Sequence, residues 1–138
     1  MLTPESEAVL STVHPDLIAV VRKAATITKI PFAVIRGRMD AKEIDALIAD
    51  GLGKLGSYGR NYSGHAINIM PVAAHDPHGL MPFGPCYSAV ADAMCLAAAD
   101  LAIPVDWGGW RERDRDDSLF ELRKGEYPTT WETGPFRA

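Results

Sequence analysis

The chain has 138 residues and a mass of 15.0 kDa; 47% of its residues are apolar, 23% are charged, and the net charge is −4. That is enough for one hydrophobic core of ordinary proportions, and the interspersed charges include no concentrated basic face of the kind nucleic acid requires. No segment approaches the roughly 18 uninterrupted apolar residues of a membrane span.

Thr3-Pro4 opens the first predicted helix, a capping hydroxyl followed by a proline at the first turn, and the helix runs to about Val13. His14-Pro15-Asp16 restarts the chain, with His14 in a structural role. Leu17, Val20, Val21 and Ala24 then recur at i, i+3, i+4 and i+7, the apolar face of a second helix. Phe32-Ala33-Val34-Ile35 predicts a short buried strand ending at Gly37. A third helix, about 40–51, turns Ile44, Leu47 and Ile48 inward and closes near Gly51 and Gly53. The glycine-rich stretch 52–64 predicts a loop, Ala66–Val72 a strand, and HDPHGLMPFGP (75–85) an irregular excursion.

Helix 86–102 is alanine-rich and apolar on most sides, which predicts a central buried helix. Its two cysteines, Cys86 and Cys95, lie about 13 Å apart along the axis and half a turn out of phase. That separation is beyond the reach of a disulfide, so both are expected to be small apolar residues. Val105-Asp106-Trp107 and Leu119–Leu122 are short predicted strands on either side of the charged loop RERDRDD (111–117), read as a solvated turn. The expected fold class is α+β, a small antiparallel sheet flanked by helices, in a single domain spanning 1–138. Residues 128–138 form a candidate C-terminal interaction tail, with Trp131 and Phe136 as aromatic anchors.

In order and spacing, VHPDLIAVVRKA, PFAVIRGRMD, GRNYSGHAINIM, PVDWGGW and LFELRKGEYP resemble the zinc D,D-carboxypeptidase/L-alanyl-D-glutamate endopeptidase family, the VanY-type proteins found among bacteriophage endolysins. The resemblance implies a Hedgehog/D-Ala-D-Ala peptidase-like scaffold. It also implies a zinc site made of a histidine, an aspartate seven residues later, and a second histidine just before a Phe-Glu-Leu strand. An acidic residue three places ahead of that second histidine serves as general base. An arginine two residues after the first strand's glycine polarises the substrate.

Matched position by position, the ligands fall on Asn61, Asn68 and Leu119; the base falls on Asp116; the arginine falls on Met39, beside Arg38. Zinc at a catalytic site is held by imidazole, thiolate or carboxylate, usually three of them. Without the cation no bound water is drawn toward a pKa of about 7. The expectation is therefore no zinc, no cofactor and no catalytic residue, with Asp116 left as an isolated carboxylate. His75 and His78 flank a proline in an exposed loop and have no defined facing geometry for a metal. A retained cleft would offer Arg38, Arg60, Tyr62, Ser63, His65, Trp107 and Trp110 for binding.

These readings favour a catalytically inactive protein of phage or prophage origin, acting as a structural or interaction module of the virion. Its expected partners are other virion or assembly proteins, or a second copy of itself, and not nucleic acid or membrane. One alternative is a module that binds the peptidoglycan stem peptide without cutting it; the other is a zinc peptidase with a rebuilt metal site. MLTPESEAVL lacks the basic n-region and apolar core of a secretory signal, so synthesis in the bacterial cytoplasm is expected, with incorporation into a phage particle to follow.

Overall fold

The computed structural model describes residues 2–51 and 59–129. Helix α1 (Pro4–Leu10) starts as expected, with Thr3 Oγ1 accepting from the Ser6 amide at 3.1 Å, but it ends in a turn three residues early. Helix α2 (Pro15–Ile27) is capped by His14, whose Nδ1 accepts from the Asp16 amide at 3.0 Å. Leu17, Val20, Val21 and Ala24 are all fully buried, the apolar face the spacing predicts. Strand β1 (Phe32–Arg36) follows, and then α3 (Ala41–Ala49), closed at its start by a reciprocal capping box between Asp40 and Glu43. Ile44, Leu47 and Ile48 are half-buried, and no residue of α3 is fully buried.

Three further parts of the chain differ from the sequence expectation. Within the predicted 52–64 loop, Gly59–Tyr62 forms one helical turn, α4, while residues 52–58 lie outside the described residues. The 75–85 segment is not simply irregular: strand β2 (Ala66–Ala73) turns back into β3 (Asp76–Leu80), and the two pair antiparallel despite Pro77. A proline is tolerated there because, among the described residues, β3 pairs on one side only. Helix α5 (Gly84–Leu101) buries Cys86, Tyr87, Val90, Met94 and Ala97 but leaves an outer face in solvent, with Cys95 exposed and Leu96 65% exposed. Its alanines hide this two-sidedness, because alanine is accepted on either face.

Strands β4 (Val105–Trp107) and β5 (Leu119–Leu122) complete an antiparallel sheet of order β1-β2-β5-β4, with β3 on the far end of β2. The class is α+β. One face of the sheet carries Phe32, Val34, Ile67, Ile69, Phe120, Leu122 and Val105 against α2 and α5, and this is the core. The buried Ser6 hydroxyl joins α1 to the sheet by accepting from the Val34 amide at 3.0 Å. Ser6→Ala leaves that buried donor without its partner and is expected to cost about 1–3 kcal/mol, read from the urea midpoint.

Candidate functional site

The opposite face of the sheet carries Ala66, Asn68 and Met70 of β2, with Leu119 and Glu121 of β5. Asn68 stands directly opposite Leu119 on one side and Arg36 on the other. A bulge at Ile35 sets that last pairing: Val34 opposes Ile69 and Arg36 opposes Asn68, so two residues of β1 advance for one of β2. Arg36 thereby enters the row of the site, although nothing in the spacing of PFAVIRGRMD marks it out.

The turn α4 brings Asn61 down onto the same row. Asn61 and Asn68 are 2% and 1% exposed, so every polar atom they carry must find a partner. They find each other: Asn61 Nδ2 donates to Asn68 Oδ1 at 3.1 Å and to the Gly37 carbonyl at 3.2 Å, with Ala66 O further off at 3.5 Å. Asn68 Nδ2 in turn donates to Ser118 Oγ at 3.0 Å and, at 3.5 Å, to Asp116 Oδ2. Asp116 Oδ1 accepts from the Ser118 hydroxyl at 2.6 Å and the Ser118 amide at 3.0 Å. The result is a continuous chain of neutral donors running from a backbone carbonyl to one carboxylate. Leu119, 5% exposed, closes it with an alkyl side chain.

Two glycines make room for this arrangement. A Cβ at Gly37 would sit 2.5 Å from Thr12 Oγ1 and 2.6 Å from the Val9 carbonyl, so a side chain there would displace the carbonyl that receives Asn61. A Cβ at Gly108 would lie 2.3 Å from the Asp116 carbonyl and 3.1 Å from Leu119 Cβ. Gly108→Ala is therefore expected to push the Asp116 turn outward. Its cost should be about 1–3 kcal/mol of stability, and shifted Asp116 and Ser118 amide resonances would report the movement.

Four sequence-matched positions, Asn61, Asn68, Asp116 and Leu119, thus converge at one place. Met39, at the arginine position, is buried beside them, its amide donating to the Asn61 carbonyl at 3.2 Å, while Arg38 is exposed. The expected binding residues divide. Arg60 is buried with its guanidinium turned into the protein, donating to the Tyr127 carbonyl at 2.8 Å and to the Leu122 carbonyl, so it ties α4 to the chain after β5 and is not offered to a ligand.

His65 also faces elsewhere. Its Nδ1 is 2.8 Å from Ser63 Oγ, and its ring lies 5.5 Å from His14, which packs edge-on against Tyr127. The Tyr127 hydroxyl donates to Asp16 at 2.5 Å, and this bond, with burial, pushes its pKa up to about 12. Trp107 is half-buried, stacked on Phe120, with Nε1 donating to the Asp117 carbonyl at 2.7 Å; Trp110, against its edge, is 57% exposed. Tyr62 is exposed. His75 and His78 are exposed at the β2–β3 hairpin, and Trp131 and Phe136 of the tail lie outside the described residues.

Sequence reasoning missed Ser118 and Tyr87. Ser118 was legible as an Asp-x-Ser turn, in which the hydroxyl and amide two residues on cap the carboxylate. The Tyr87 hydroxyl donates to Met70 Sδ at 3.2 Å; burial first, and then the nearby charges of Asp116 and Asp117, raise its pKa and keep it a protonated donor. Among the described residues no group of three or more His, Cys, Asp or Glu side chains gathers as metal donors.

The family model for phage L-alanyl-D-glutamate peptidases matches residues 1–127. The chain belongs to that family. Among solved structures, this family member resembles the L-Ala D-Glu endopeptidase ChiX of Serratia marcescens, with 30% identity, a TM-score of 0.81, and coverage of 94% of this chain and 95% of the other. No curated protein matches. The family match ends at Tyr127, so the candidate tail 128–138 lies beyond it. No helix among the described residues is long and apolar enough to cross a membrane.

Proposed function

We propose that this member of the phage L-alanyl-D-glutamate peptidase family does not hydrolyse peptide bonds and acts by contact, as a structural or interaction module of a phage or prophage particle. The observation that carries this reading is the closed hydrogen-bond chain Gly37–Asn61–Asn68–Ser118–Asp116. Zinc of the resembling peptidases does not fit these residues. Asn61 and Asn68 offer neutral amides, and both amide nitrogens point donors, not lone pairs, at their neighbours. The Asn68 carbonyl oxygen is already engaged, and Leu119 has no donor atom. Asn61, Asn68, Ser118 and Asp116 are joined by hydrogen bonds that need no cation. Asp116 is the single carboxylate of the set, and its first oxygen is committed to Ser118.

The test has two parts. Purified protein is expected to carry far less than one equivalent of transition metal by mass spectrometry. If the chain is phage-encoded, it is expected among the proteins of purified virions. Stoichiometric metal with chelator-sensitive release of L-alanyl-D-glutamyl peptides would establish the rebuilt peptidase instead.

A second reading, a cell-wall binding module that does not cut, is favoured by Trp110 and Tyr62, aromatic rings left in solvent, and by Arg38, exposed next to the site. Cosedimentation with purified peptidoglycan, weakened by Trp110→Ala, is its expected signature.

A further inference from the structure

We propose that the groove between the end of α1, the end of β1 and the start of α3 binds a carboxylate, held by Arg36 and Arg38. The groove has a volume of about 340 Å3 and lies beside the amide row, with Gly37 and Met39 as the wall they share. Arg36 is half-buried and Arg38 exposed, and neither side chain makes an ion pair or hydrogen bond among the described residues. Elsewhere Arg22, Arg111, Arg115 and Arg123 each pair with a carboxylate of their own chain. A guanidinium partly withdrawn from water without a counter-ion is costly to keep, and a bound anion removes that cost. Its planar fork of donors matches a carboxylate with two parallel hydrogen bonds.

The backbone carrying the pair is fixed before any ligand arrives. The Arg38 amide donates to Thr12 Oγ1 at 2.9 Å, and that hydroxyl donates to the Val9 carbonyl at 2.7 Å. Gly37 presses against the same two oxygens, which holds the chain between the arginines hard against the end of α1. Ala8, Val9 and Ile35, the last 41% exposed, give the groove an apolar side. Glu43 is its acidic lining residue, and the capping box holds that side chain, with Oε1 accepting from the Asp40 amide at 3.4 Å. Two cations beside one carboxylate favour a monoanion over a dianion, and the apolar side suits a short aliphatic stem. A peptide C-terminus and an Asp or Glu side chain both offer that chemistry. The site stands whether or not the neighbouring amide row hydrolyses anything.

The isotope-labelled full chain is titrated with the tripeptide Ala-Ala-Val as free acid, with its C-terminal amide, with the α-amide of N-acetylglutamic acid, and with inorganic phosphate. The free acid is expected to shift the Arg36 and Arg38 Nε–H resonances saturably, and the tripeptide amide to leave them in place. The glutamic acid derivative separates the two sources: shifts extend the site to acidic side chains, their absence confines it to chain ends, and either result upholds a carboxylate site. Arg36→Gln and Arg38→Gln are each expected to weaken binding about tenfold or more with an unchanged circular dichroism spectrum. Glu43→Gln, which keeps the capping box, is expected to tighten it about threefold, and Arg113→Gln, at an exposed position in another loop, to leave it unchanged. Arginine resonances that ignore the free acid at about 50 mM overturn the proposal. So does phosphate binding more tightly than the free acid, or an affinity for the free acid that survives both arginine substitutions.

Discussion

Asn68→Asp is expected to lower the stability of the folded chain by about 2–4 kcal/mol at neutral pH, measured as a fall in the urea midpoint with unchanged slope. The substitution is nearly isosteric, so packing contributes little. The cost comes from position. Asn68 is 1% exposed, and its Nδ2 donates to Ser118 Oγ and toward Asp116 Oδ2. A carboxylate there turns an N–H···O contact into two oxygens facing each other and places a second negative charge beside Asp116. Burial and that neighbour hold the new carboxyl's folded-state pKa above its unfolded value of about 3.9. The folded chain tolerates the protonated form, so the penalty is absent well below pH 4 and grows as pH rises through that value. An Asn68→Asp variant as stable as the wild type at pH 7 would show that the row is already arranged for charge.

The second large effect is a gain. Asn61→His, Asn68→Asp and Leu119→His together are expected to create measurable Zn²⁺ affinity, because the three positions already converge on one row and only their donor chemistry is wrong. Without metal the triple variant should be less stable than the wild type, for the reason given for Asn68→Asp alone and because the Gly37 carbonyl loses Asn61. With free zinc at about a hundred times its dissociation constant the ion should return about 2.7 kcal/mol, seen as a rise in thermal midpoint that a chelator reverses. Each single substitution should show no such rise. A folded triple variant whose midpoint ignores zinc would mean that these positions do not match the ligand positions of the metal-binding peptidases.

Much of this was legible in the chain. The α2 face was readable because leucine and valine recur with helical period and little else competes; β2 and β5 were readable as short apolar runs between breakers. The convergence of Asn61, Asn68, Asp116 and Leu119 was legible only through the resemblance to the zinc peptidase family, whose ligand and base positions fall on these residues; spacing alone does not place them together. What could not be read was set by three-dimensional context. The inward turn of Arg60 depends on carbonyls of Leu122 and Tyr127, more than sixty positions away. The place of Arg36 depends on a bulge. The exposed side of α5 is concealed by alanine, which carries no signal of facing. Pro77 argued against a strand, yet an edge position asks for no partner on its second side.

The measurement that bears most directly on the central claim is incubation of purified wild-type protein, supplied with Zn²⁺, with soluble muropeptides, and quantification of the fragments by liquid chromatography and mass spectrometry. The buried amide ladder predicts no release above the rate in buffer alone, at any zinc concentration, while the Serratia endopeptidase run beside it cuts. Zinc-dependent fragments from the wild-type chain, abolished by Asp116→Ala, would contradict the account outright.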